Sequence, residues 1–124
     1  MKPVLGRFSE LAYALLRIVA GLLFACHGAQ KLFGAFGGQQ VPMMSQLWVA
    51  GAIEVVGGIL IAIGLLTSIV ALIASGEMAV AFFQAHAPKG LNPLLNGGEL
   101  AVLYCFIFLY IAARGGGAWS VDRR

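Results

Sequence analysis

Five charged residues of this 124-residue chain fall within or at the edges of long apolar runs: Arg17, Lys31, Glu54, Glu77 and Glu99. His27 adds an imidazole and Gln84 an amide in the same kind of surroundings. A charge at the centre of a membrane helix costs about 2.5–3.5 kcal/mol on insertion scales, so such residues face inward, pair with one another and mark function. Carboxyl groups and an imidazole shielded from water suit proton exchange, which makes Glu54, Glu77 and His27 the candidate catalytic groups. Arg17, Lys31, Glu99 and Gln84 are the candidates for holding the polar or anionic part of a bound ligand. A structural reading competes with this one. Three acids, two bases and a histidine nearly neutralise one another, and a buried ion-pair network can fix helix register without doing chemistry.

Other chemistries fit the residue spacing poorly. His27, Glu54, Glu77 and His86 are metal-ligand types, but no helix carries an E-x-x-H or H-x-x-x-H pair, and at 100° per residue His86 points away from Glu77, so no metal site is expected. Cys26 and Cys105 have no CxxC spacing and differ in angular position, which makes them packing residues. The glycine runs at 37–38, 97–98 and 115–117 have no strand-to-helix context and imply turns, with no nucleotide cradle.

The elements that position these groups follow from composition. The chain is 60% hydrophobic and 10% charged, with a mean hydropathy of +0.92. Soluble domains carry about 25% charged residues, so soluble globular, disordered and disulfide-framework classes are excluded and the lipid bilayer is the solvent of the exterior. The net charge of +3 sits mostly at the ends, and no basic run with interleaved aromatics suggests nucleic acid.

Apolar runs predict one membrane domain over 1–124, with helices at about 11–33, 47–66, 68–87 and 98–113 and a basic tail at 114–124. The stretch 47–86 would span about 60 Å as one helix at 1.5 Å per residue, twice the hydrocarbon thickness, so it must fold back. The reversal is expected at Gly64–Ser68, with a glycine ending one helix and a hydroxyl capping the next. Alternating β-type hydrophobicity is absent, and the fold class is all-α: an up-down-up-down four-helix bundle. Lys2, Arg7, Arg114, Arg123 and Arg124 at the ends outnumber Lys31 and Lys89 by the long loops, which predicts both termini in the cytoplasm.

Trp48 and Trp119 fall near predicted interfaces as aromatic anchors. Small-residue stripes at Gly21/Ala25/Ala29, Gly58/Ala62 and Ala71/Ser75/Ala79 imply close packing within the bundle, with a homodimer seam as the alternative. Helix position puts His27, Glu54 and Glu77 about 9–15 Å below the outer surface, with Glu99 and Lys31 near that surface and Arg17 nearer the inner side. From depth and angle, His27, Lys31, Glu54, Glu77, Gln84 and Glu99 are expected to converge on one polar pocket in the outer half.

The run Arg17-x-x-x-Gly21-x-x-Phe24-x-x-His27-Gly28-x-x-Lys31-Leu32-Phe33-Gly34 resembles the first-helix signature of the DoxX family of small bacterial membrane proteins. Glu54-x-x-Gly57-Gly58 with Gly64-Leu65-Leu66-Thr67 is similar to its second helix, and Asn96-Gly97-Gly98-Glu99 to the start of its fourth. The resemblance covers roughly residues 10–122. It implies a multi-pass protein of the bacterial inner membrane, of a family commonly labelled as oxidoreductases or quinol-linked subunits, with quinone as the implied cofactor and soluble redox proteins as implied partners. It also brings to mind quinone-using four-helix bundles that form disulfides, but the CxxC which that chemistry needs is missing here.

Three functions are therefore in view. The first is a redox-associated subunit binding a quinone-like or other small amphipathic ligand. The second is a small proton-coupled transporter, acting as a dimer. The third is a non-catalytic scaffold for soluble redox enzymes at the membrane.

Overall fold

A computed structural model describes residues 1–122. Among these residues the chain is all-helical, without strands. Five α-helices follow one another: α1 (Ser9–Phe33), α2 (Gln46–Ile63), α3 (Thr67–Ala81), the single-turn α4 (Pro93–Asn96) and α5 (Glu99–Arg114). Three helical stretches are long and apolar enough to cross a membrane: Gly6–Phe33, Gln46–Ile63 and Thr67–Lys89. With 16 residues, α5 extends about 24 Å at 1.5 Å per residue.

Neighbouring long helices run antiparallel. On α1 and α2, Gly21 lies against Gly58 and Ala62, while Gly28 lies against Gly51 and Val55. A Cβ built on Gly21 would come within 2.6 Å of the Gly58 carbonyl oxygen, so these glycines permit a backbone-to-backbone approach that any side chain would prevent. The Gly21 and Gly58 stripes are thus spent within the chain. Between α3 and α5, the Ser75 hydroxyl donates to the Cys105 carbonyl at 2.8 Å and the Ser68 hydroxyl to the Ala112 carbonyl at 2.6 Å. Phe24 of α1 packs on Phe108 and Tyr104 of α5, with ring centroids 4.7 and 5.6 Å apart, and this aromatic core joins the two helix pairs.

The reversal between α2 and α3 lies where the sequence places it, but its cap does not come from there. Gly64 ends α2 with φ 76°, a left-handed conformation that suits glycine. A Cβ at Gly64 would also collide with the Cβ of Ser120. The residue before α3 is Leu66, at φ 53° and without a side-chain cap of its own. Asp122 supplies the cap from the other end of the chain: its carboxylate accepts from the Leu66 N–H at 2.9 Å, the Thr67 N–H at 2.8 Å and the Thr67 hydroxyl at 2.6 Å. The Asp122 N–H in turn donates to the Gly64 carbonyl at 2.8 Å. The expected basic tail is therefore also a clasp. Arg123 and Arg124, which enter the charge count, lie outside the described residues.

The third expected crossing also departs from a plain α-helix. α3 stops at Ala81 and continues as a π-helical turn, Phe82–His86, and then a 3₁₀ turn, Ala87–Lys89. Pro88 supplies a physical cause. In an α-helix its ring would clash with the carbonyl four residues back, here Gln84, and a wider preceding turn removes that clash. The loop beyond is organised by buried Asn96, whose amide donates to the Gly90 carbonyl at 2.7 Å and whose carbonyl accepts the Gly98 N–H at 2.8 Å.

Candidate functional site

In a helix the Cα–Cβ bonds lean toward the N-terminus. Lys31, in the last turn of α1, therefore leans back along the helix toward its middle, where Glu54 of α2 faces it. Its ammonium donates to Glu54 Oε2 at 2.6 Å. Glu54 is fully buried, while 28% of the Lys31 side chain is exposed. From α3, the Glu77 carboxyl comes close enough to that of Glu54 for the two to interact. The Oε1 atoms of both carboxyls are buried without a hydrogen-bond partner among the described residues. Three helices thus bring one cation and two carboxyl groups to a single point.

Two cavities meet at this point. The larger, about 570 Å³, lies between α2 and α3. Leu47, Val49, Ile53, Ile73 and Val80 form its apolar walls, and Lys31, Glu77, Gln46 and Gln84 its polar end. The Gln46 amide donates to the Gln84 side-chain carbonyl across its mouth. The smaller, about 290 Å³, is lined by His27, Lys31, Glu54, His86 and Tyr104, among others. The His27 ring meets Tyr104 edge-on at 5.9 Å between centroids.

The structure therefore brings His27, Lys31, Glu54, Glu77 and Gln84 to one region of the molecule, and leaves two of the expected pocket and ligand-binding residues out. Arg17 is fully buried, but its guanidinium lies at the end of the molecule that holds the α2–α3 turn and the tail. It donates to the carbonyls of Ile61 at 2.8 Å and Ala62 at 2.6 Å, and to those of Ala118 at 3.0 Å and Trp119 at 2.7 Å. Arg17 sits in the first half of α1, so the same lean toward the N-terminus carries it away from the pocket. There it meets the electronegative C-terminus of α2, which favours a cation. Glu99 is exposed in the first turn of α5 and lines neither cavity, a position where the helix N-terminus favours an acid.

His86 and Gln46 line the cavities although the sequence reading did not place them there. Regular 100° steps put His86 on the far side of its helix from Glu77. The π-helical turn shifts that register, and Pro88 two residues on was the signal for it. His86 Nδ1 lies 3.2 Å from the Asn96 carbonyl. Cys26 and Cys105 are free thiols, and Cys105 packs beside Ser75 with its Sγ 3.5 Å from the hydroxyl.

Comparisons with known proteins agree with a membrane protein. An uncharacterized protein of Haemophilus influenzae is 42% identical over 97% of this chain and 95% of its own length. The Bacillus subtilis protein named "Putative oxidoreductase CatD" is 28% identical over 91% of this chain and 86% of its own. The Escherichia coli inner membrane protein YqjF is 30% identical, over 94% of both chains. No solved structure matches the chain. The DoxX family model matches residues 12–87, the stretch that carries Arg17, His27, Lys31, Glu54 and Glu77, and the chain belongs to the DoxX family of membrane proteins.

Proposed function

We propose that the protein is a redox-associated subunit of the bacterial inner membrane that binds a quinone-like amphiphile in the larger cavity. Its four long helices form a four-helix bundle across the bilayer, with both termini cytoplasmic. The observation that carries the reading is the 570 Å³ hollow, apolar along its walls and polar at one end, where Lys31 and Glu77 meet two glutamines. Pockets for small molecules have this character: mostly apolar linings with a few placed polar groups. An isoprenoid or acyl tail would lie along Val49, Ile53, Ile73 and Val80, and a ring bearing carbonyl or hydroxyl groups would reach Lys31 and Glu77. The likeness to the B. subtilis protein, which is named for an oxidoreductase, supports a redox association.

The charge count suits such a ligand. Lys31 balances one carboxylate, and two carboxyl groups brought together in a dry interior favour a proton on one of them. A group that gives or takes protons as it changes redox state finds an exchange partner there. The redox chemistry is the ligand's, and this chain binds it, orients it and holds the proton.

The test is to extract the protein in mild detergent, identify co-purifying small molecules by mass spectrometry, and titrate a short-chain ubiquinone. A quinone should co-purify and bind. Replacing Glu77 or Glu54 with Gln should weaken binding about tenfold or more, the worth of one charge-assisted hydrogen bond. Unchanged affinity across the Glu54, Glu77 and His27 replacements would reject the proposal.

A further inference from the structure

The smaller cavity has no part in binding a ligand between α2 and α3, yet it reaches the same buried carboxyl. Glu54 lines this smaller hollow and its neighbour Glu77 the larger; Glu54 Oε2 is held by Lys31, and Oε1 is buried without a hydrogen-bond partner among the described residues. On the far side, the 290 Å³ cavity gathers His27 from α1, His86 from the π-helical turn and Tyr104 from α5 around Glu54, and it is bounded at one end by Gly97 of the 87–98 loop. At about 30 Å³ per water molecule, that space holds several.

We infer that this second cavity is the proton outlet of the site, running from Glu77 through Glu54 to His27 and His86 and out at the 87–98 loop. The inference deepens the proposed function and rests on it for the origin of the proton.

Each transfer balances. A proton on Glu77 passes to Glu54 Oε1 and leaves Glu77 as the anion. Glu54 gives it up through cavity water to an imidazole nitrogen and returns to the carboxylate that Lys31 holds. The imidazolium releases it to water at the loop. An imidazole can do both, because it takes a proton at one ring nitrogen while the other carries its own hydrogen. The second imidazole is set for the role by its surroundings: the Asn96 carbonyl is an acceptor, so the His86 Nδ1 that faces it carries the hydrogen, which leaves Nε2 to take a proton. Of the other titratable groups nearby, Lys31 is engaged with Glu54, while Cys26 of α1 and Tyr104 of α5 lie close enough to interact with each other and carry no step.

The experiment follows hydrogen–deuterium exchange of the buried carboxyl by infrared difference spectroscopy, on the full chain reconstituted in phosphatidylcholine liposomes without quinone. The carboxyl C=O band is assigned by its loss in Glu54→Gln and Glu77→Gln. In the wild type, a switch to D2O should shift the band quickly. The double variant His27→Phe/His86→Phe should slow the shift at least tenfold, and each single variant less. If the double variant fails to fold, wild-type protein treated with diethyl pyrocarbonate, which blocks imidazoles, should show the same slowing. Exchange as fast as in the untreated wild type, in the folded double variant or after modification, would overturn the outlet. Because no quinone is present, this result is independent of whether quinone binds.

Discussion

The Asp122 carboxylate caps the helix that begins at Thr67, reaching its N–H at 2.8 Å and its hydroxyl at 2.6 Å from 55 residues away. Those bonds to Thr67, the hydroxyl's above all, hold the Asp122 carboxyl below its usual value of 3.8. A group with a depressed value in the folded state contributes stability that is fully present above the unfolded value and lost as pH falls through the folded one. Thermal unfolding in detergent should therefore be flat with respect to this group at neutral pH and decline below about pH 4. Asp122→Ala should lower stability at neutral pH by about 1 kcal/mol, the ordinary worth of a helix cap, and should remove this contribution to the acid-side decline.

Arg17 ties the last carbonyls of α2 to the tail through four hydrogen bonds. Lysine has a compact ammonium with no planar fork and cannot span both sets of carbonyls in this way. Arg17→Lys should destabilise the protein and expose the tail to protease, while the affinity of the folded fraction for a short-chain quinone stays as in the wild type. A large loss of affinity in folded Arg17→Lys protein would place Arg17 back among the ligand-binding groups.

Gly21 and Gly58 set the distance between α1 and α2. A Cβ on Gly58 would come within 2.6 Å of the Ala25 nitrogen, and the obstruction is backbone, which cannot swing aside. Gly21→Val or Gly58→Val should cost about 1–3 kcal/mol, the range for overpacking, read as an earlier midpoint in an SDS unfolding titration. Gly76, whose Cβ would meet nothing within 4 Å, is the control, and Gly76→Ala should leave the midpoint in place or raise it.

The Lys31–Glu54 pair separates structural from functional roles. Removing one partner of a buried pair leaves an uncompensated charge and costs about 3–5 kcal/mol, whereas replacing both with apolar residues is often neutral. Lys31→Met and Glu54→Leu should each destabilise strongly, and the double replacement should recover most of the loss. Under the proposed function the recovered double variant binds quinone poorly. Full binding by that variant would reduce the pair to a device for helix register.

The sequence by itself determined that this chain lives in lipid, that it is helical and which charged groups are set into its apolar runs. Those conclusions follow from local quantities: too few polar residues to cover a soluble surface, apolar runs of spanning length, and helical periodicity that sets depth and angle. Lys31, Glu54 and Glu77 were legible as a convergent set because each lies on a regular α-helix, where a fixed 100° step predicts its face. The tertiary structure decided the rest. Arg17 left the pocket because its lean toward the N-terminus and the open carbonyls of α2 drew it to the opposite end. His86 entered because one wide turn shifted its register. Asp122 became a helix cap because the tail folds back over a turn more than fifty residues earlier in the chain. Periodicity carries no information about which distant carbonyl or N–H a side chain will meet, and in a low-dielectric interior that partner decides where a polar group goes.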